Sequence, residues 1–167
     1  TAFYTVDQVI FDDEELTSFE VGLKSTLADG RARLNLSVYD YQYDDIQVFN
    51  QNGPFTVTFN RDGEVRGAEL ELQARFDGGL DARLGVSLLD TEIDPVDNLN
   101  IITGEITSTK QELPNSPEFS VVGQLSKEWA LQQGSVFLTG TGRWIDERKL
   151  NLIDHPGTRA DAYSVFD

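Results

Sequence analysis

Glu69 and Glu71 stand two residues apart in a run of strict alternation, GAELELQARF over residues 67–76. Two strand rises of about 3.3 Å each put the carboxyl groups on one face, roughly 7 Å apart. That separation would suit an acid pair in glycoside hydrolysis. It equally describes two hydrated carboxylates on the wet face of a sheet, meeting Arg33 or Arg75. No nucleophile, base or oxyanion donor accompanies them, so no catalytic residue is assigned and the chain is not read as an enzyme.

The other reactive residue types are equally spare. His155, the single histidine, sits beside Pro156 and Gly157 without partners at metal-ligand spacing. The acids of Asp12–Glu15 and of Asp90–Asp97 offer oxygen donors, but not in the order of a dedicated Ca²⁺ loop, and they read as solvated surface. Gly67 and Gly85 lack a phosphate-loop context. No metal or cofactor site follows. Tyr39, Tyr41, Tyr43, Phe55 and Phe59 suit either aromatic contacts to a ligand or packing in a girdle and in loops.

Such residues need elements to position them, and the elements are strands. From Ser18 onward, Phe19, Val21, Leu23 and Leu27 share one parity, while Glu20, Lys24 and Thr26 share the other. After Asp29-Gly30, Ala32, Leu34, Leu36 and Val38 alternate with Arg33, Asn35 and Ser37. Two period-two runs joined by Asp-Gly predict an antiparallel hairpin. Each arm is near the 9–11 residues that cross a bilayer, against about 5–6 for an ordinary strand.

The unit repeats. Residues 65–76 place Ala68, Leu70, Leu72, Ala74 and Phe76 on one parity. A turn at Asp77-Gly78-Gly79 leads to a strand carrying Ala82, Leu84, Val86 and Leu88. A fifth strand carries Phe119, Val121, Leu125 and Trp129, with Val122 off the pattern. A turn over residues 130–134 leads to Val136, Leu138 and Trp144, and residues 162–166 begin a seventh strand. Connections are short at 29–30, 77–79 and 130–134, and long at 46–64, 94–117 and 145–159. The expected fold is all-β, an antiparallel up-and-down meander of about seven strands forming part of a larger transmembrane β-barrel. Such barrels have short turns at one end and long loops at the other.

The membrane-facing residues expected from parity are Phe19, Val21, Leu23, Leu34, Leu36, Val38, Leu70, Leu72, Leu84, Val86, Trp129 and Trp144. The two tryptophans stand near strand ends, as an aromatic girdle requires. A soluble antiparallel β-sandwich, as a binding or adhesion module, also alternates and is the competing reading.

Composition sets the bounds. The 167 residues carry 13 basic and 29 acidic side chains, a net charge of −16, and no Cys or Met. Without a basic stripe, nucleic acid is not an expected partner. Without cysteine there is no disulfide framework. No apolar run approaches the ~18 residues of a membrane helix, which leaves a barrel open because alternation dilutes its apolar residues. A chain not beginning with Met reads as a mature protein or a piece of a longer one.

Several segments resemble the C-terminal barrel of TonB-dependent outer-membrane receptors: SFEVGLKS (18–25), LNLSVYDYQYDDIQV (34–48), NRDGEVRGAELELQARF (60–76) and ELPNSPEFSV (112–121). The resemblance runs from about Leu16 to the end and is nearest the iron-siderophore type. It implies a bacterial outer-membrane location and contact with outer-membrane lipid. It also implies a ferric siderophore or similar large nutrient as ligand, and energy supplied by TonB through a plug region. Neither a plug nor a terminal aromatic strand is recognisable. Residues 1–167 are therefore expected to be a partial barrel domain of a receptor with about 22 strands.

Overall fold

The computed structural model describes residues 12–52, 55–99, 106–152 and 156–167. They form one antiparallel sheet with the strand order β1 (Glu15–Leu27), β2 (Ala32–Asn52), β3 (Phe55–Phe76), β4 (Leu80–Leu99), β6 (Phe119–Leu131), β7 (Gly134–Ile145) and β10 (Tyr163–Phe166). β5 (Ile106–Gln111) pairs with the far end of β4. β8 (Arg148–Lys149) and β9 (Arg159–Ala160) form a separate two-stranded piece. Among the described residues no second sheet covers the apolar face of the first, which does not favour the sandwich reading. The sheet is not closed here, since β1 pairs only with β2 and β10 only with β7.

The register confirms the alternation. Leu23 pairs with Leu36, Leu36 with Leu70, Leu70 with Val86, Val86 with Val121 and Val121 with Trp144. Directly paired residues point to the same side, so these six form one apolar row across six strands. The neighbouring rows add Val21, Val38 and Ala68, and Leu34, Leu72 and Leu84. The face is not covered by protein: Phe19 is 69% exposed and Val21 58%. Trp144 packs against Phe119, ring centroids 5.4 Å apart, beside the long connection of β7. Trp129 stands at the opposite end of the same face, across from Val136.

The short turns are held by left-handed backbone. Ala28, Asp29 and Gly30 have φ of 51°, 53° and 88°, and Gly78 and Gly79 of 78° and 81°. The first turn occupies residues 28–31, not only Asp29-Gly30, because Leu27 pairs with Ala32.

Three long connections read as loops are not simple loops. β2 and β3 pair without interruption from Ile46 with Arg61 up to Asn52 with Phe55. β4 continues to Leu99 and pairs with β5. The third holds β8, β9 and a 3₁₀ turn at Pro156–Thr158. β-Bulges hid the strands. One falls between Tyr43 and Ile46, with Asp45 at φ 59°, and another between Ile93 and Val96, around Pro95. Each bulge inserts an odd residue, reverses parity and breaks the period-two signal. Proline is tolerated in a strand at such a place. The bulges are tied together: the Asp45 N–H donates to Asp62 at 3.2 Å, and Arg61 Nε donates to the Pro95 carbonyl at 3.0 Å.

β2, β3 and β4 span 21, 22 and 20 residues. About half that length crosses a bilayer, so the far halves project beyond the apolar rows as long hairpins.

Candidate functional site

The polar face of the sheet is assembled from the intervening residues. Asn35 Nδ2 donates to Glu71 at 3.0 Å. Arg75 pairs not with Glu71 but with Asp81, at 3.0 Å. Glu69 lies in the row with Ser37 and Ser87. Glu69 and Glu71 are exposed on the polar face.

Tyr39, Tyr41 and Tyr43 stand on this same polar face, in register with Gly67, Val65 and Gly63. The parity is opposite to that of Trp129 and Trp144, so the girdle alternative does not hold for these tyrosines. Tyr39 and Tyr41 stack with centroids 4.9 Å apart. The Tyr39 ring lies over Gly67, where an added Cβ would come within 2.3 Å of it. Phe59 carries the Arg61 guanidinium 4.7 Å above its ring. The side chain of Phe55, and the whole of His155, lie outside the described residues.

Beyond the bulges the polar side turns apolar. Val48 pairs with Phe59, two residues along from Arg61 and four from Gly63, which pairs with Ile93. The second bulge brings Val96 to the same side. Val48, Ile93, Val96 and Leu152 form a buried core, with Ile46, Phe59 and Leu113 packed against it. Leu152 belongs to the segment between β7 and β10, four strand positions away from β2 in the sheet order. That segment therefore folds back across the polar-face side of the projecting hairpins and caps them.

Polar contacts fix the cap. Lys149 Nζ is nearly buried, donates to Gln111 Oε1 at 3.1 Å and lies 3.7 Å from Glu112. The Asn115 N–H donates to the Lys149 carbonyl at 2.8 Å. A charge so placed is held by its partners, which offset part of its desolvation. On the rim, Glu92 bonds Lys110 and holds its ammonium above the usual lysine range.

The acids of the amino-terminal run are exposed, and two of these residues touch β2 and β3. The Asp12 N–H donates to Asn60 Oδ1 at 3.0 Å, and Glu14 accepts from the Gln47 N–H at 3.3 Å. The acids from Asp90 onward lie on β4. Among the described residues no three His, Cys, Asp or Glu side chains converge as a metal site would need. The cap core was missed in the sequence. Its signal was present as aliphatic residues at 46, 48, 93 and 96, but in the wrong parity for a continuous strand.

A sheet of this kind, with one uncovered apolar face, one polar face and long hairpins at one end, is part of an outer-membrane barrel wall. The sequence matches the family described as TonB dependent receptor-like, beta-barrel, over residues 1–167, and the chain belongs to that family. The fold is similar to that of the siderophore receptor PiuA from Acinetobacter baumannii, with TM-score 0.72, 18% identity, 98% of this chain covered and 23% of that one. It is also similar to FpvAI in its complex with pyocin S2, with TM-score 0.63, 15% identity, and 94% and 21% of the two chains covered. P. aeruginosa FpvA bound to heterologous pyoverdines gives TM-score 0.62, 14% identity and the same coverages of 94% and 21%. The chain thus spans 21–23% of the length of these structures. Proteins of this family reside in the outer membrane.

Proposed function

We propose that residues 1–167 are part of the barrel domain of an outer-membrane receptor that takes up a scarce nutrient, with TonB as its energy source. The plug and the remaining strands belong to the rest of the receptor. The observation carrying this reading is family membership across the whole chain, together with a sheet of two chemically opposite faces. The apolar rows of Phe19, Val21, Leu23, Leu34, Leu36, Val38, Leu70, Leu72, Leu84 and Val86 face lipid, with Trp129 and Trp144 at the two interfaces. The polar face, with Asn35, Glu69, Glu71 and the tyrosine ladder, faces the lumen. The long hairpins and their cap face the cell exterior.

A ferric siderophore or another large chelate fits as ligand, since the fold neighbours include siderophore receptors. Tyr39, Tyr41 and Tyr43 supply aromatic surface at the depth where such a ligand would enter the lumen. In this reading the role of the segment is binding and passage.

The test uses the complete receptor. A strain lacking its own siderophore uptake is given the receptor and a panel of ferric siderophores under iron limitation. Growth on at least one member of the panel, lost when TonB is removed, is the expected result. Growth that is independent of TonB overturns the proposal.

A further inference from the structure

Val122 breaks the alternation of β6, and the register shows where it goes. It pairs with Gly85, Gly85 with Glu71, and Glu71 with Asn35, so an aliphatic side chain stands in a polar row. Val122 is 42% exposed. Its Cγ1 lies 3.1 Å from where a Gly85 Cβ would stand, so the glycine lets the valine lean over the neighbouring strand. The two floor a hollow of about 320 Å³, walled by Glu71, Gln73, Arg83 and Gln124.

A second hollow, of about 190 Å³, adjoins it and shares Gln73 and Arg83. Arg31, Arg33, Arg75 and Arg83 line it, four of the 13 basic residues in the chain. Arg31 meets Asp77 at 3.4 Å, and Arg75 meets Asp81 at 3.0 Å. Arg33 on β2 and Arg83 on β4 flank Gln73 in one register row, and among the described residues neither has a hydrogen bond or ion pair. In a chain of net charge −16 this is a locally basic spot. It lies one pair from the first short turn, since Thr26 pairs with Arg33 and Leu27 with Ala32.

Two free guanidiniums suit carboxylates, which they take through two donors at once. Inside a closed lumen a charge without a partner is costly, and the hollow at Gly85 and Val122 favours an apolar group. Both hollows are near or below the lower end of the roughly 300–1,000 Å³ of small-molecule sites. Each therefore takes side chains rather than a bulky chelate. A lumen of about 22 strands is filled by a plug, and this chain spans only 21–23% of the length of its fold neighbours.

We propose that this double recess is where the receptor's own plug region meets the wall, with a carboxylate on Arg33 and Arg83 and an aliphatic side chain over Gly85 and Val122. The proposal rests on the barrel reading. It adds the place of the contact and the chemistry of the plug segment that makes it.

The experiment is photo-crosslinking of the complete receptor in the outer membrane, with benzoylphenylalanine in place of Val122 or, separately, of Leu36. The expected result at position 122 is a crosslink to a plug peptide that carries Asp or Glu, and at position 36 a crosslink to lipid. Arg33→Glu with Arg83→Glu should raise passive entry of an antibiotic that the plugged receptor excludes about tenfold, the worth of one hydrogen bond to a charged group. Replacing the captured plug carboxylate by arginine in that background should restore exclusion. Capture at position 122 of a plug peptide without acid, of an added ferric chelate, or of no protein at all overturns the proposal and leaves the barrel reading intact. So does a leak that the charge exchange fails to restore. Capture of protein instead of lipid at position 36 overturns both.

Discussion

Tyr39 stands directly across the ladder from Gly67, and its ring occupies the space that any side chain at Gly67 would need. Glycine in a strand interior weakens the strand by exposing backbone. Here the aromatic ring covers that backbone and is itself held by its stack with Tyr41. Gly67→Ala should cost roughly 1–3 kcal/mol, the usual range for overpacking. Tyr39→Ala removes the obstacle, so the double variant should cost less than the sum of the two single changes. Urea unfolding of the receptor in lipid vesicles measures all three. Strict additivity would show that the ring and the glycine are not coupled.

Neighbouring residues on β2 should differ in tolerance of charge. Leu36 lies on the apolar face and Asn35 on the polar one. Leu36→Arg sets a guanidinium in hydrocarbon at a cost of roughly 2–4 kcal/mol near the midplane. Asn35→Arg places it beside Glu71, which now accepts from Asn35, and should cost far less. A soluble sheet would give the same sign, so the solvent must be probed directly. Brominated lipid should quench a fluorophore at position 36 and spare one at position 35. Equal quenching at both would mean that the face assignment is wrong.

The cap should be separable from the barrel wall. Leu152 is 2% exposed and meets Val48, Ile93 and Val96, which come from two hairpins. Leu152→Ala should remove roughly 2–5 kcal/mol of local stability. Proteolysis of the segment 146–152 should accelerate on intact cells, while the detergent melting temperature of the barrel stays put. A fall in the barrel melt with unchanged cleavage would place Leu152 in the wall instead.

Topology is open to labelling. Glu147 sits on the cap side, and Asp77, whose side chain is 95% exposed, sits at a short turn. A cysteine at Gly79 would be a poor probe, because φ is 81° there and a Cβ would approach the Glu128 carbonyl to 2.7 Å. Glu147→Cys in the complete receptor should react with an impermeant thiol reagent on whole cells, and Asp77→Cys should not. The reverse pattern would invert the barrel.

The sequence alone determined the strands that cross the apolar band, their pairing partners and their faces. Each of these is local. A period of two fixes which side chain goes to which side, and Asp29-Gly30 or Asp77-Gly78-Gly79 fixes where the chain turns. The same logic read the outer halves of β2, β3 and β4 as loops, since bulges at Asp45 and at Pro95 reverse parity midway. Once the pattern is broken, Ile46, Val48 and Val96 look like scattered aliphatics. Only the tertiary structure shows that both bulges turn these residues to one side. It also brings Leu152, some sixty residues from Ile93 in sequence, back over them. It showed as well that the Tyr39 ring lies over Gly67 on the polar face, a contact that depends on register rather than on residue type. Contacts between distant segments leave no periodic trace in a chain, so the cap and the cover of Gly67 by Tyr39 appeared only when the strands were laid side by side.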